Sequence, residues 1–192
     1  MKSKLTIFCS LLLATVFGQT LEEAVERNRE GNSVRVVFYN VENLFDTIAD
    51  ANIADEEFLP TAVKVWDTKK YRIKVANTAK TIRAVGGWQA PEIVGLAEIE
   101  NRSVLLSLAN HKSLKAANYA GLHFDSPDPR GIDVALLYNQ TLVEVLFASP
   151  IKVRLENSRT RDILYAKVLV AQKDTLHLFV NHWSSRSGGQ QE

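Results

Sequence analysis

Asn40, Glu98 and His182 each close an apolar stripe, and an amide, a carboxylate and an imidazole are groups that handle hard cations and phosphoryl oxygens. Side chains two apart on a strand share a face, so the residues before a polar group tell which way it points. In VRVVFYNVEN the stripe Val34, Val36, Phe38 runs into Asn40. In EIVGLAEIEN the stripe Val94, Leu96 runs into Glu98, and in DTLHLFVNHW the stripe Leu176, Leu178, Val180 runs into His182. Such groups are costly to bury without partners, by roughly 1–3 kcal/mol each, so they are kept where they pair, ligate or react. A carboxylate and an amide oxygen suit Mg²⁺, which takes one or two carboxylates and keeps several waters or substrate oxygens. A nearby imidazole can give a hydrogen bond or a proton to a phosphoryl oxygen that gains charge. Each residue alone has a plainer reading: Asn40 a turn residue, Glu98 a solvated lead into a helix, His182 a satisfied core histidine. The three form one site only if their strands are neighbours that share direction and end at one rim of a sheet.

The elements that must position them are legible as periodicity. Runs of β-branched and aromatic residues, VRVVFYN, EIVGLAEI, IDVALLYN, LVEVLFAS, DILYAKVLV and DTLHLFVNHW, predict strands. Between the first two, Tyr71, Val75, Ala79, Ile82 and Val85 form one helical stripe, with Asp67 as N-cap and Gly86-Gly87 as the stop. A shorter helix is predicted after the cap Asn101, carrying SVLLSLAN. Strand, helix, strand, helix and then mostly strands predict an α/β sheet sandwich with helices outside. The segment 48–60, IADANIADEEFLP, holds four acids and no base; its expected state is a solvated loop.

Composition narrows the classes. With 192 residues, 46% apolar and 23% charged, the chain can build one core and is not of disordered type. Lys2 and Lys4 precede an apolar run to Phe17 and then Gly18, which predicts a signal peptide over 1–19, a polar lead-in over 20–33 and an exported protein. That run is too short to cross a bilayer, so stable membrane insertion is not expected. Cys9 is the single cysteine and lies in that leader, so no disulfide framework is expected. Removing Lys2 and Lys4 takes Lys+Arg from 23 to 21 against 22 Asp+Glu, a net charge of −1. Bulk positive charge therefore does not hold a polyanion here. The sequence carries no signal for an oligomeric state.

Five ordered stretches, VFYNVENLFD, PEIVGLAEIENR, RGIDVALLY, SRTRDILY and FVNHWSSRSGG, resemble the motif series of the endonuclease/exonuclease/phosphatase superfamily, nearest to its exported bacterial branch. The likeness runs over residues 34–189. It implies a four-layer α/β/β/α sandwich of the deoxyribonuclease I-like type over 34–192 and Mg²⁺- or Mn²⁺-dependent cleavage of phosphodiesters, nucleic acid being one candidate substrate beside lipid, nucleotide and sugar esters. It further implies that Glu98 is the principal metal ligand, that Asn40 orients the phosphate and its metal, and that His182 acts on the phosphate; Glu42 falls where relatives carry a second acid near the metal and is equally open to capping the segment ENLFD. Arg161 and Asn181 are the candidate phosphate-binding residues; Arg161 in TRDILY, like Arg130 and Asp133 at the start of the RGIDVALLY stretch, is open to that role or to tying strands together. The family pattern continues with Gly-Asp-x-Asn and Ser-Asp-His motifs. This sequence ends at Glu192 before both, so the expectation is a C-terminally incomplete member with little hydrolysis by itself and with exposed apolar sheet surface. Two other readings compete: a binding protein that keeps part of the fold, and a structural sheet protein without metal affinity.

Overall fold

The computed structural model describes residues 34–87, 89–154 and 160–183; the predicted leader with Cys9 and the polar lead-in lie outside them. Among the described residues the strands and α-helices follow in the order β1 (Val36–Leu44), α1 (Thr68–Val85), β2 (Ile93–Ile99), α2 (Arg102–Ala109), β3 (Tyr119–His123), β4 (Asp133–Asn139), β5 (Val143–Ile151), β6 (Ile163–Val170) and β7 (Asp174–Val180). β1, β2, β4 and β3 form one sheet in that order, with β1 parallel to β2 and the other pairs antiparallel. β5, β6 and β7 form a second, antiparallel sheet.

Two apolar clusters hold the layers together. α1 and α2 cover one face of the first sheet, where Val75, Ala79, Ile82, Leu105 and Leu108 meet Val94, Leu96, Ile99 and Leu137. The other face packs on the second sheet, with Ile93, Ala97, Val134 and Leu136 against Leu164, Ala166, Val168 and Val180. Burying each large side chain contributes about 1.5–3 kcal/mol, so these clusters are the main favourable term. The α/β sandwich expected from the sequence is present as helices, sheet, sheet. Among the described residues no helix covers the outer face of the second sheet, and no helix is long and apolar enough to cross a membrane.

The caps form as predicted. Asp67 accepts from Lys70 N at 2.8 Å, and Asn101 accepts from Val104 N at 2.9 Å. The buried stripe of α1 is Val75, Thr78, Ala79 and Ile82, whereas Val85 at its end is exposed. β3 was not predicted, because YAGLH has two small residues and no clear alternation. Its close seat explains Gly121: a Cβ there would lie 2.7 Å from Leu105 Cδ2. The acidic loop 48–60 is more built than expected. Asp55 is buried and accepts from Asp50 N at 2.8 Å, and Phe58 stacks on Phe45 with ring centroids 4.0 Å apart.

Candidate functional site

Asn40, Glu98 and His182 meet, but not as neighbours in one sheet. β1 and β2 are adjacent and parallel, while β7 belongs to the facing sheet and reaches the same rim across the apolar interior. Val180 of β7 lies over Gly95 of β2, so the chain leaving β7 carries His182 past the end of β2.

The face of Glu98 also differs from the stripe reading. Val94 and Leu96 pack on the helix side, so strict alternation would send Glu98 there as well. Ala97 instead joins the inter-sheet cluster and Ile99 the helix-side cluster, and the pairing with β1 and β4 shifts register around Glu98. Glu98 is the extra residue of a β-bulge, with φ of 66°. A non-glycine residue in the left-handed region costs about 1–2 kcal/mol, and such strain gathers where surrounding contacts over-determine it. Glu42 and Asn43 share that conformation, with φ of 57° and 59°.

The contacts are those of a hub. Asn40 Nδ2 donates to Glu98 Oε1 at 3.0 Å, Asn43 N donates to Glu98 Oε2 at 2.8 Å, and His182 Nε2 lies 3.3 Å from Glu98 Oε1. Asn40 Oδ1 in turn accepts from Glu42 N at 2.8 Å. Each carboxylate oxygen keeps a lone pair, and the amide oxygen keeps its second. Burial pushes the His182 imidazole below its ordinary pKa, the Arg161 charge pushes it the same way, and the Glu98 charge opposes both. The neutral ring is therefore favoured. Among the described residues no hydrogen bond commits Nε2 to Glu98, so that nitrogen is open to a ligand, and Nδ1 is buried without a hydrogen-bond partner.

The remaining predicted residues are placed differently from one another. Glu42 is exposed, and it joins the hub through its backbone N–H rather than its carboxylate. Asn181 Nδ2 donates to Phe179 O at 3.2 Å and borders a cavity of about 220 Å³ with Arg161 and His182. Arg161 does not present a free guanidinium to a phosphate. It is buried, with Nε donating to His182 O at 3.0 Å, Nη1 to Asp128 Oδ2 at 2.6 Å and Nη2 to Trp183 O at 3.2 Å. It fixes the backbone that carries His182. Arg130 pairs with Asp128 at 3.2 Å within one loop, and Asp133 accepts from Ser126 N at 3.2 Å, which ties that loop to β4.

One group at the hub escaped the sequence reading. Lys74 of α1 donates from Nζ to Glu42 O; burial lowers its pKa, and the charges of Glu42 and Glu98 pull it back up. It brings a cation to the Glu98 rim. A strand-stripe argument cannot find it, because it comes from the polar edge of a helix.

Residues 35–192 match the family described as Endonuclease/Exonuclease/phosphatase family. No curated protein matches the chain. Among solved structures, D. rerio TDP2 complexed with a single-strand DNA product aligns at 18% identity over 81% of this chain and 48% of that one, with TM-score 0.48. The endonuclease/exonuclease/phosphatase from Bacteroides vulgatus aligns at 16% identity over 73% and 48%, with TM-score 0.45. ANGEL2, a 2′,3′-cyclic phosphatase, aligns at 11% identity over 57% and 31%, with TM-score 0.44. The chain spans less than half the length of each of these structures.

Proposed function

We propose, on the premise that this chain belongs to the endonuclease/exonuclease/phosphatase family, that the Glu98 hub is the metal- and phosphate-binding centre of a phosphodiester hydrolase. The observation that carries this is the convergence of Asn40 Nδ2 and His182 Nε2, from two different sheets, on one oxygen of a glutamate held in a left-handed bulge. A structural polar contact does not need that strain.

The donor set fits a hard divalent ion. Glu98 supplies the carboxylate, Asn40 Oδ1 a second oxygen, and both are oriented by backbone N–H groups of Asn43 and Glu42. Bound there, Mg²⁺ or Mn²⁺ would neutralise phosphoryl charge and polarise the ester for attack. His182, kept neutral by burial and Arg161, would donate a hydrogen bond to a phosphoryl oxygen as its charge grows. Arg161 is a positioning residue for His182, and Lys74 adds positive potential beside Glu98. Asn181, at the edge of the same cavity, is the remaining polar side chain within reach of a substrate.

The substrate class is a phosphodiester, with nucleic acid as the first to test. With 23 Lys+Arg against 22 Asp+Glu, affinity would rest on the site rather than on a basic surface. The leader-like segment 1–19 supports an exported location.

The test is a calorimetric titration of the full chain with Mg²⁺, alone and with Glu98→Gln, alongside hydrolysis of bis(4-nitrophenyl) phosphate and single-stranded DNA. One Mg²⁺ heat in the wild type that disappears in the variant is expected, with any hydrolysis falling on the order of 10²–10³-fold. Equal Mg²⁺ heats in the two proteins would sink the proposal.

A further inference from the structure

Along the same rim from β2 lies a second cluster, where β4 begins at Asp133 and β3 ends at His123. Asp133 pairs with Ile99 one strand over and His123 stands one strand farther, so the cluster spans about 5–10 Å from β2 at the ordinary strand spacing. We infer that His123, Asp125 and Asp133 form a separate divalent-cation site, selective for a borderline ion such as Zn²⁺ over Mg²⁺.

The cluster is tested at one nitrogen of the ring, since an imidazole gives a single ion only one. His123 Nε2 is 3.4 Å from Asp133 Oδ2, while Asp125 Oδ1 stands 3.6 Å from the ring's other nitrogen, Nδ1, and completes the cluster from the mouth. One donor atom from each residue falls within 4.8 Å of the other two. Ligands at 2.0–2.2 Å around a tetrahedral ion stand about 3.4 Å from one another. A hydrogen-bonded imidazole would sit closer, at about 2.7–3.2 Å.

The second observation concerns His123 itself. Its side chain is only 2% exposed, and Nε2 has no hydrogen-bond partner among the described residues. Buried polar atoms are nearly always satisfied, so an aimed and unpaired nitrogen calls for a ligand. Asp133 is prepared in the way ligating carboxylates are: Ser126 N and Oγ hold Oδ1 and leave Oδ2 turned toward His123. Asp125 is 93% exposed and stands at the mouth, beside an acidic cavity of about 550 Å³ that also borders Glu100, Asp128 and Asp133. That potential concentrates cations, and the imidazole favours Zn²⁺ over Mg²⁺, which prefers oxygen ligands alone.

The site would clamp both ends of loop 124–132. That loop carries Asp128, which holds Arg161, which holds the backbone of His182.

Zn²⁺ binding is measured on the full chain in excess Mg²⁺, by calorimetry and by the rise in Tm. One Zn²⁺ should bind to the wild type and equally to Glu98→Gln, with Tm raised in both. His123→Gln should abolish binding, and Asp125→Asn should weaken it at least about tenfold. If His123→Gln does not fold, the exposed Asp125→Asn decides alone. Wild-type affinity in Asp125→Asn overturns the site, and so does loss of Zn²⁺ binding in Glu98→Gln, which would assign the ion to the Glu98 hub.

Discussion

β2 and β6 are the inner strands beside which the two sheets are built, yet they bury their side chains in different ways. In β2 every residue is buried except Glu98, because helices cover one face and the second sheet covers the other. In β6 buried and half-buried residues alternate strictly, because only its inner face has a neighbour among the described residues. Phe147, Tyr165 and Phe179 line that bare outer face as adjacent rings, with centroids 6.1 and 5.0 Å apart, and Phe147 and Phe179 are each 55% exposed. The contrast teaches where to look for chemistry. A strand covered on both sides tolerates only apolar residues, so its single polar position is informative; on a one-sided strand polar positions are ordinary.

Four substitutions probe this contrast, from the most to the least disruptive. Arg161→Met breaks the buried pair with Asp128 that links the second sheet to the first, and should cost about 3–5 kcal/mol in urea unfolding. A cost below 1 kcal/mol would mean the sheets do not depend on that tie. Leu96→Ala, in the fully covered strand, should cost about 2–5 kcal/mol by the same assay.

Glu100→Gln comes next and is read as a pH effect. Burial raises the Glu100 carboxyl, and Asp46, Asp55 and Asp50 add to it, to about 7 against an unfolded value of 4.5. The folded state then binds more protons than the unfolded state between those values, so stability falls as pH rises through that window. The loss is on the order of 2–3 kcal/mol by pH 8. In metal-free buffer the Tm of the wild type should drop from pH 5 to pH 8, and that drop should shrink in Glu100→Gln. Phe179→Ser, on the bare face, should change stability by less than about 1 kcal/mol and reduce self-association in ultracentrifugation. A cost as large as that of Leu96→Ala would show that this face is covered in solution.

Much of this could be read from residue order, for reasons that also mark the limits. Six strands, two caps and both helices follow from local periodicity and capping chemistry, which need no tertiary information. Asn40 and His182 followed from alternation. Glu98 was selected for a reason that fails: its stripe faces the helices, and only the bulge turns it to the site. A bulge changes strand parity without leaving a residue-type signature. β3 was missed because its place depends on α2, and Lys74 because helix edges contribute to strand-end sites only through packing. Arg161 is open between phosphate contact and a structural tie in the sequence, because residue type does not reveal that Asp128 and two carbonyls occupy it; the structure shows the tie.

The left-handed backbone at Glu98 has a consequence for how such a chain would drift over generations. Glycine adopts that conformation without penalty, so Glu98→Gly would relieve roughly 1 kcal/mol of strain while deleting the hub carboxylate. The relief is offset by loss of the hydrogen bonds from Asn40 and Asn43, about 0.5–1.5 kcal/mol each, so folding alone holds the glutamate only weakly and what the carboxylate does must hold the rest. A lineage that no longer used the site would be expected to lose this glutamate early, and its persistence in any descendant is a record of continued use.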